Sequence, residues 1–276
     1  MNQVAAREQA SPSAFGQLLK EWRAQRKLSQ LELALNCNVS QRHISFLESG
    51  RSQPSRAMVT QLSDALDISL RDCNTLLQAA GYRAVFLERD LGDADMAPVR
   101  QALNLILEHH NPYPAIVVDR HWNLLDANRA TLSLFSLLGD MDALWKAVGG
   151  STPNIMRLTF HRAGLRPFIE NWAELAPLML QRLQREALAD NSPVLQDLLQ
   201  ELQGDPEIPR EWIRHNPSQR LAPVVPMALR VGDLSIRLFS MLTTFGTPQD
   251  ISTDEMRVES FFPMDAETET HLQSLA

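Results

Sequence analysis

Hydrophobic positions along the first eighty residues recur at helical spacing. Phe15, Leu18, Leu19 and Trp22 form the first stripe. Leu31, Ala34 and Leu35 belong to a second, Ile44, Phe46 and Leu47 to a third, and Met58, Leu62, Ala65 and Leu66 to a fourth. A serine precedes each of the later helices: Ser29, Ser40, Ser55 and Ser69. Serine is a favoured N-cap because its hydroxyl accepts an N–H that the helix leaves unpaired. Ser29 is followed three residues on by Glu32, the spacing of a capping box. Gly50 and Gly81 mark two of the stops. The pattern predicts five short helices over 14–81, after a polar arm over 1–13. Residues 82–98, with Arg89, Asp90, Gly92, Asp93, Asp95 and Pro98, predict a linker.

Beyond the linker the period changes. A helix is expected over 99–110, carrying Leu103, Ile106 and Leu107. Strands are expected over 114–118 and 121–127 about an Asp119-Arg120 turn, followed by a helix capped by Asn128. Residues 140–203 read as mostly helical, with Trp172, Leu175, Met179 and Leu183 on one stripe. Two more strands, 224–231 and 234–243, flank Gly232-Asp233, a two-residue hairpin signal. Leu234, Ile236, Leu238 and Leu242 share one face of the second. The predicted fold class is an all-α five-helix N-terminal domain followed by an α+β domain over 99–270, with a small antiparallel sheet and a helical insert.

The helices at 29–50 carry the clearest chemistry. The short turn Asn36-Cys37-Asn38-Val39 sets the third helix at a steep angle to the second, the geometry of a helix-turn-helix. Ala34 is small at the close approach, and Val39 and Ile44 pack inward. Ser40, Gln41, Arg42, His43 and Ser45 remain for DNA. Gln pairs with adenine and Arg with guanine through two hydrogen bonds each. Gln30, Arg51 and Arg56 suit phosphates. Glu48 suits an internal ion pair rather than anionic DNA.

The net charge of −7 changes this picture little, because it is unevenly spread. Residues 1–80 hold nine Lys or Arg against seven Asp or Glu, and the rest holds seventeen against twenty-six. The DNA-binding candidate is therefore net +2 and the remainder −9. So weak a field implies that affinity draws on dimerisation and specific contacts.

Ser29-Gln30, Leu33-Ala34, Val39-Ser40, Ile44-Ser45, Glu48, Gly50, Arg51 and Pro54 together resemble the XRE family of lambda-repressor-like helix-turn-helix proteins, over residues 14–80. The segments NPYPAIVVDRHWNLLDANRATLSLF, GGSTPNIMRLTFHRAGLRPFIENWAELA and TTFGTPQDISTDEMRVESFFPMDAET resemble the PAS-like ligand-binding domain of MmyB-like regulators. Longer members of that family carry a different C-terminal half, and this chain matches the shorter branch. The resemblance implies a ligand-responsive regulator of a double-stranded DNA operator, with a fatty-acid-like or other small apolar ligand; a homodimer is expected because dimers match palindromic half-sites.

For such a ligand the helical insert offers Met156, Leu158, Phe160, Phe168, Trp172, Leu175 and Met179. The last strands offer Met241, Phe245, Phe261 and Phe262. Asn154, Arg157, Arg166 and Asn171 can supply polar groups, since Arg clamps carboxylates. The principal ligand candidates are Asn154, Arg157, Phe160, Arg166, Trp172, Met179, Phe245 and Phe262. The loop from Thr243 to Pro248 either lines the site or makes an ordinary turn. The alternative is a C-terminal domain serving dimerisation or protein interaction, with a packed core and no ligand.

Other chemistries lack their motifs. Cys37 and Cys73 are isolated and read as buried apolar groups. His109 and His110 are adjacent and point to different helix faces, so no metal site is expected. Gly149-Gly150 lacks the lysine of a phosphate loop, and no GxSxG elbow is present. No cofactor and no enzymatic activity are expected. The chain carries neither a secretory leader nor a spanning segment, which predicts a cytoplasmic protein with no membrane partner.

Overall fold

The computed structural model describes residues 13–190, 192–213 and 224–275. All but the last residue of the expected N-terminal arm lies outside them. The described chain forms two compact units, one of residues up to Glu88 together with Gln249–Asp254, the other of Arg89–Pro248 and Glu255 onward.

The first unit contains the five expected helices: α1 (Ala14–Gln25), α2 (Gln30–Asn36), α3 (Gln41–Glu48), α4 (Arg56–Ala65) and α5 (Leu70–Ala79). Each begins on a serine, Ser13, Ser29, Ser40, Ser55 or Ser69, whose hydroxyl accepts a first-turn backbone N–H. The capping box at Ser29 closes in both directions and holds the Glu32 carboxyl below its usual range. Each helix also stops at a residue with positive φ: Lys27, Asn38, Gly50, Asp67 and Gly81. A left-handed residue turns the chain back to satisfy the last carbonyls. Three of these five are not glycine, so the sequence shows those stops less plainly.

Phe15, Leu19, Trp22, Leu33, Ile44, Leu47, Val59, Leu62, Leu76 and Leu77 meet in one core. Cys37 and Cys73 are buried free thiols within it, and burial pushes both above the usual thiol range. One expectation changes here. α2 turns Leu33 and Ala34 inward, leaving Leu31 and Leu35 exposed. The stretch 82–98 is not a uniform linker: Tyr82 and Phe86 pack on the core, and the Asn74 side chain bonds Val85 N, Phe86 N and Phe86 O.

The crossing of α1 and α3 is close. A Cβ added to Gly16 would lie 2.6 Å from the carbonyl oxygens of both Leu47 and Glu48. Gly16→Ala is therefore expected to destabilise this unit by ~1–3 kcal/mol, measured by thermal unfolding; an unchanged midpoint would show that the two helices separate freely.

The second unit begins with α6 (Ala97–His110), β1 (Ala115–Val118) and β2 (Leu124–Ala127). The helical insert follows: α7 (Arg129–Ser136), α8 (Met141–Val148), α9 (Ile155–Phe160), α10 (Trp172–Ala189) and α11 (Pro193–Gln203). The chain ends in β3 (Met227–Val231), β4 (Leu234–Thr244), α12 (Ile251–Glu255), which but for Glu255 belongs to the first unit, β5 (Arg257–Pro263) and α13 (Ala266–Leu275). The sheet is antiparallel throughout, in the order β2-β1-β5-β4-β3.

β5, a central strand, was not among the strands the pattern predicted as discrete elements, because Arg257, Glu259 and Ser260 interrupt its apolar run. The second strand is also shorter than expected. Asp119 accepts from the backbone N–H groups of His121 and Asn123, and Trp122 takes a φ of 68°, so 119–123 form a turn.

β1 is buried on both faces. Ile116 and Val118 join the core under the helical insert, while Ala115 and Val117 meet Leu103 and Leu107 of α6 with Met96, Met256 and Val258. Alternation along a strand sends successive side chains to opposite faces, and here both faces are covered. Leu242 leaves the core on its expected face and is exposed, whereas Ile236 and Leu238 are buried.

Candidate functional site

The helix-turn-helix face is assembled by α2, the turn at Asn38 and α3. Gln41 and Arg42 are exposed in the first turn of α3, and His43 and Ser45 are half-exposed beside them. Ser40 is committed to capping, its Oγ accepting from His43 N at 3.2 Å. Arg42 lies over the Phe46 ring, 4.9 Å from its centroid, and Arg51 approaches the same ring at 5.9 Å. Arg56 lies over Tyr82 at 5.7 Å. These aromatic rings support guanidiniums that remain open to solvent.

Behind this face Glu48 is buried and organises three elements. It accepts from Arg23 Nε at 2.5 Å and Arg23 Nη2 at 3.1 Å, and from Gln30 Nε2 at 2.7 Å. The pairing raises the Arg23 pKa above its ordinary value. Gln30, expected at a phosphate, thus has its amide held by Glu48 at the start of α2.

In the second unit a cavity of about 500 Å³ lies between α9, α10 and the sheet, a volume suited to a small molecule. Its walls include Trp122, Ile155, Met156, Leu175, Met179, Leu238 and Phe261. Five wall residues, Ile155, Thr159, Met227, Leu238 and Phe261, also line a second pocket of about 50 Å³. Ile116, Leu134, Phe135 and Leu229 also line that second pocket, whose walls are apolar apart from Thr131 and Thr159. The cavity's charged wall residues are Arg182, Arg185 and Glu259, with Ser240 bonded to Glu259.

Of the eight principal ligand candidates, Met179 lines this cavity. Asn154 caps α9 and donates to His121 O and Asn123 Oδ1. Arg157 is paired with Glu201, and Arg166 with Asp205 and Glu207. Phe160 is buried edge-on to Trp172, whose ring also carries Arg166. Arg157 and Phe160 line a smaller, separate pocket. Phe245 packs with the cluster around Leu103. Phe262 stacks on Phe239 and meets His110 edge-on. Its neighbour Phe261 faces the cavity, as strand alternation requires. Asn171 bonds the backbone of Pro226 and Ala228.

Sequence reasoning missed Trp122, Arg182 and Glu259. Arg182 and Glu186 stand four apart on α10 and form an i,i+4 ion pair, a spacing that by itself does not point to a ligand site. Glu259 did leave a signal, as a lone carboxylate two residues from Phe261 on the same face of an apolar strand. Among the described residues no group of His, Cys, Asp or Glu is placed to hold a metal, and no helix is long and apolar enough to cross a membrane.

The model of the MmyB-like transcription regulator ligand binding domain matches residues 99–275, and a helix-turn-helix model matches residues 19–73. The chain belongs to the MmyB-like transcription regulator family. It is a DNA-binding helix-turn-helix regulator of the XRE type with an MmyB-like ligand-binding domain. Among solved structures, the clp gene regulator ClgR from C. glutamicum is 35% identical, over 25% of this chain and 87% of its own, with a TM-score of 0.23. A second ClgR structure from Corynebacterium glutamicum is 27% identical, over 36% and 93%, with a TM-score of 0.22. An RNA-binding Light-Oxygen-Voltage receptor is 11% identical, over 95% and 62%, with a TM-score of 0.26. No curated protein matches the chain.

Proposed function

We propose that this MmyB-like regulator binds its operator as a homodimer and that a small, fatty-acid-like molecule in the cavity of the second unit shifts its DNA affinity. The observation that carries this reading is the cavity itself, whose mostly apolar walls include the charged Arg182, Arg185 and Glu259. Ligand control requires only that the molecule bind two states of the protein unequally. A dimer matches half-sites about one helical turn apart.

The base-reading residues in this reading are Gln41 and Arg42, with His43 and Ser45 beside them and Arg51 and Arg56 on phosphates. Arg42→Ala is expected to weaken specific binding by roughly tenfold to a hundredfold, the discrimination of one bidentate pair. The test is fluorescence anisotropy with the DNA upstream of the protein's own gene, against scrambled DNA at two salt concentrations. Wild-type affinity in Arg42→Ala would remove the base-reading assignment. Equal binding of both DNAs by the wild type, falling steeply with salt, would show only a backbone term. Repeating the titration with decanoate tests the ligand: an unchanged curve, with decanoate bound, would dissociate the cavity from DNA control.

A further inference from the structure

The charged part of the cavity wall is a specific arrangement. Arg182 lies over Trp122, its Cζ 4.3 Å from the ring centroid. Its Nε donates to Glu186 Oε1 at 3.2 Å, and its Nη1 lies 3.6 Å from Glu259 Oε1. Its Nη2 is buried and has no hydrogen-bond partner among the described residues. A buried N–H left unpaired is costly, and each one calls for an explanation.

The neighbouring carboxylates cannot easily supply the missing acceptor. Glu186 is already shared, with Oε1 3.0 Å from Arg257 Nη1 and Oε2 accepting from Trp122 Nε1 at 2.8 Å. Glu259 is buried on β5 and accepts from Ser240 Oγ of β4 at 2.7 Å. Burial raises the Glu259 pKa most, Arg182 and Ser240 lower it, and Glu186 raises it further, leaving it above the ordinary carboxylate value. Arg185, exposed at the cavity, adds a solvent-screened positive charge.

The charge balance then depends on one proton. With Glu259 ionised, Arg182, Arg257, Glu186 and Glu259 compensate one another, and an incoming anion adds an unpaired buried charge. With Glu259 protonated, the same four groups carry one net positive charge, and an anion on Arg182 restores neutrality.

We propose that this cluster is the head-group site for a carboxylate-bearing amphiphile, held by the Arg182 guanidinium where it lines the cavity, and that filling it is coupled to uptake of one proton by Glu259. The proposal rests on the cavity being the site of a fatty-acid-like ligand and adds the residue that holds its head group and the pH dependence of its binding. Glu259 acts as a selector. Ionised, it occupies the field of Arg182 and opposes an acid. Protonated, it admits one and can donate its own O–H to the bound carboxylate.

The experiment is isothermal titration calorimetry of the full chain with decanoate and with decanol, in two buffers of different ionisation enthalpy and over a range of pH. Decanoate is expected to bind with uptake of about one proton above the Glu259 pKa, its affinity falling about tenfold per pH unit there. Decanol should bind with no such dependence. Glu259→Gln should bind decanoate with no pH dependence. Arg182→Met should lose decanoate affinity by about tenfold or more, the loss of a charge-assisted contact, while keeping decanol. Both ligands binding alike, with no proton uptake, would overturn the head-group site and leave the cavity standing. Neither ligand binding would overturn the cavity reading as well. Should Glu259→Gln fail to fold, proton uptake by the wild type and the Arg182→Met titration decide the matter.

Discussion

Glu48→Ala is expected to destabilise the helix-turn-helix unit by ~3–5 kcal/mol, the usual consequence of removing one partner of a buried ion pair. The Glu48 side chain is 5% exposed and that of Arg23 14%. Without Glu48, the Arg23 guanidinium keeps its bond to Leu28 O at 2.8 Å but loses both bonds to the carboxylate. Gln30 loses its acceptor too, so the first residue of α2 is released along with the end of α3. Glu48→Gln retains a carbonyl acceptor and should cost less. Differential scanning calorimetry of the three proteins checks the order. A Glu48→Ala loss below ~1 kcal/mol, typical of an exposed pair, would mean that water replaces the carboxylate without penalty. DNA affinity should fall in the same variant even where it remains folded, because Glu48 ties the two helices that form the DNA face.

Trp122→Ala should destabilise the second unit by a similar ~3–5 kcal/mol. The indole is 2% exposed, its N–H donates to Glu186, and Arg182 lies on its face. The residue also has a φ of 68°, an uncommon backbone conformation for a bulky side chain. The Asp119 carboxylate and the bond from Ile155 N to Trp122 O hold the turn in place. Alanine would retain that backbone strain and remove the packing. Trp122→Gly removes the same packing and relaxes the backbone, so it should be no less stable than Trp122→Ala, reversing the usual order by up to ~1 kcal/mol. Urea unfolding of both variants tests this. A glycine variant clearly weaker than alanine would show that the turn carries no strain.

The first unit was readable because its signals are local. Ser29 with Glu32, and Ser40, Ser55 and Ser69, report helix starts through bonds that span three residues. The Phe15–Trp22 stripe reports a buried face through the helix period alone. Even there, Leu31 and Leu35 misled, since α2 carries apolar residues on two faces and only its neighbours select between them. The site in the second unit was much less readable. Phe261 and Phe262 are equally apolar in sequence; alternation sends them to opposite faces of β5, and only what packs on each face decides that Phe261 lines the cavity while Phe262 meets His110 and Phe239. Arg157 and Arg166 were plausible clamps until Glu201, Asp205 and Glu207 came to meet them from distant positions.

By itself, then, the sequence determined the five capped helices, the helix-turn-helix with Gln41 and Arg42 on its outer face, and an α+β second half, because caps, turns and periodicity act between residues a few positions apart. Only the tertiary structure decided which polar groups are paired off and which are left at the cavity. Trp122, Arg182, Ser240 and Glu259 lie far apart in the chain. Their meeting depends on the order in which the strands pair and on how α10 packs against the sheet, and no local pattern encodes either.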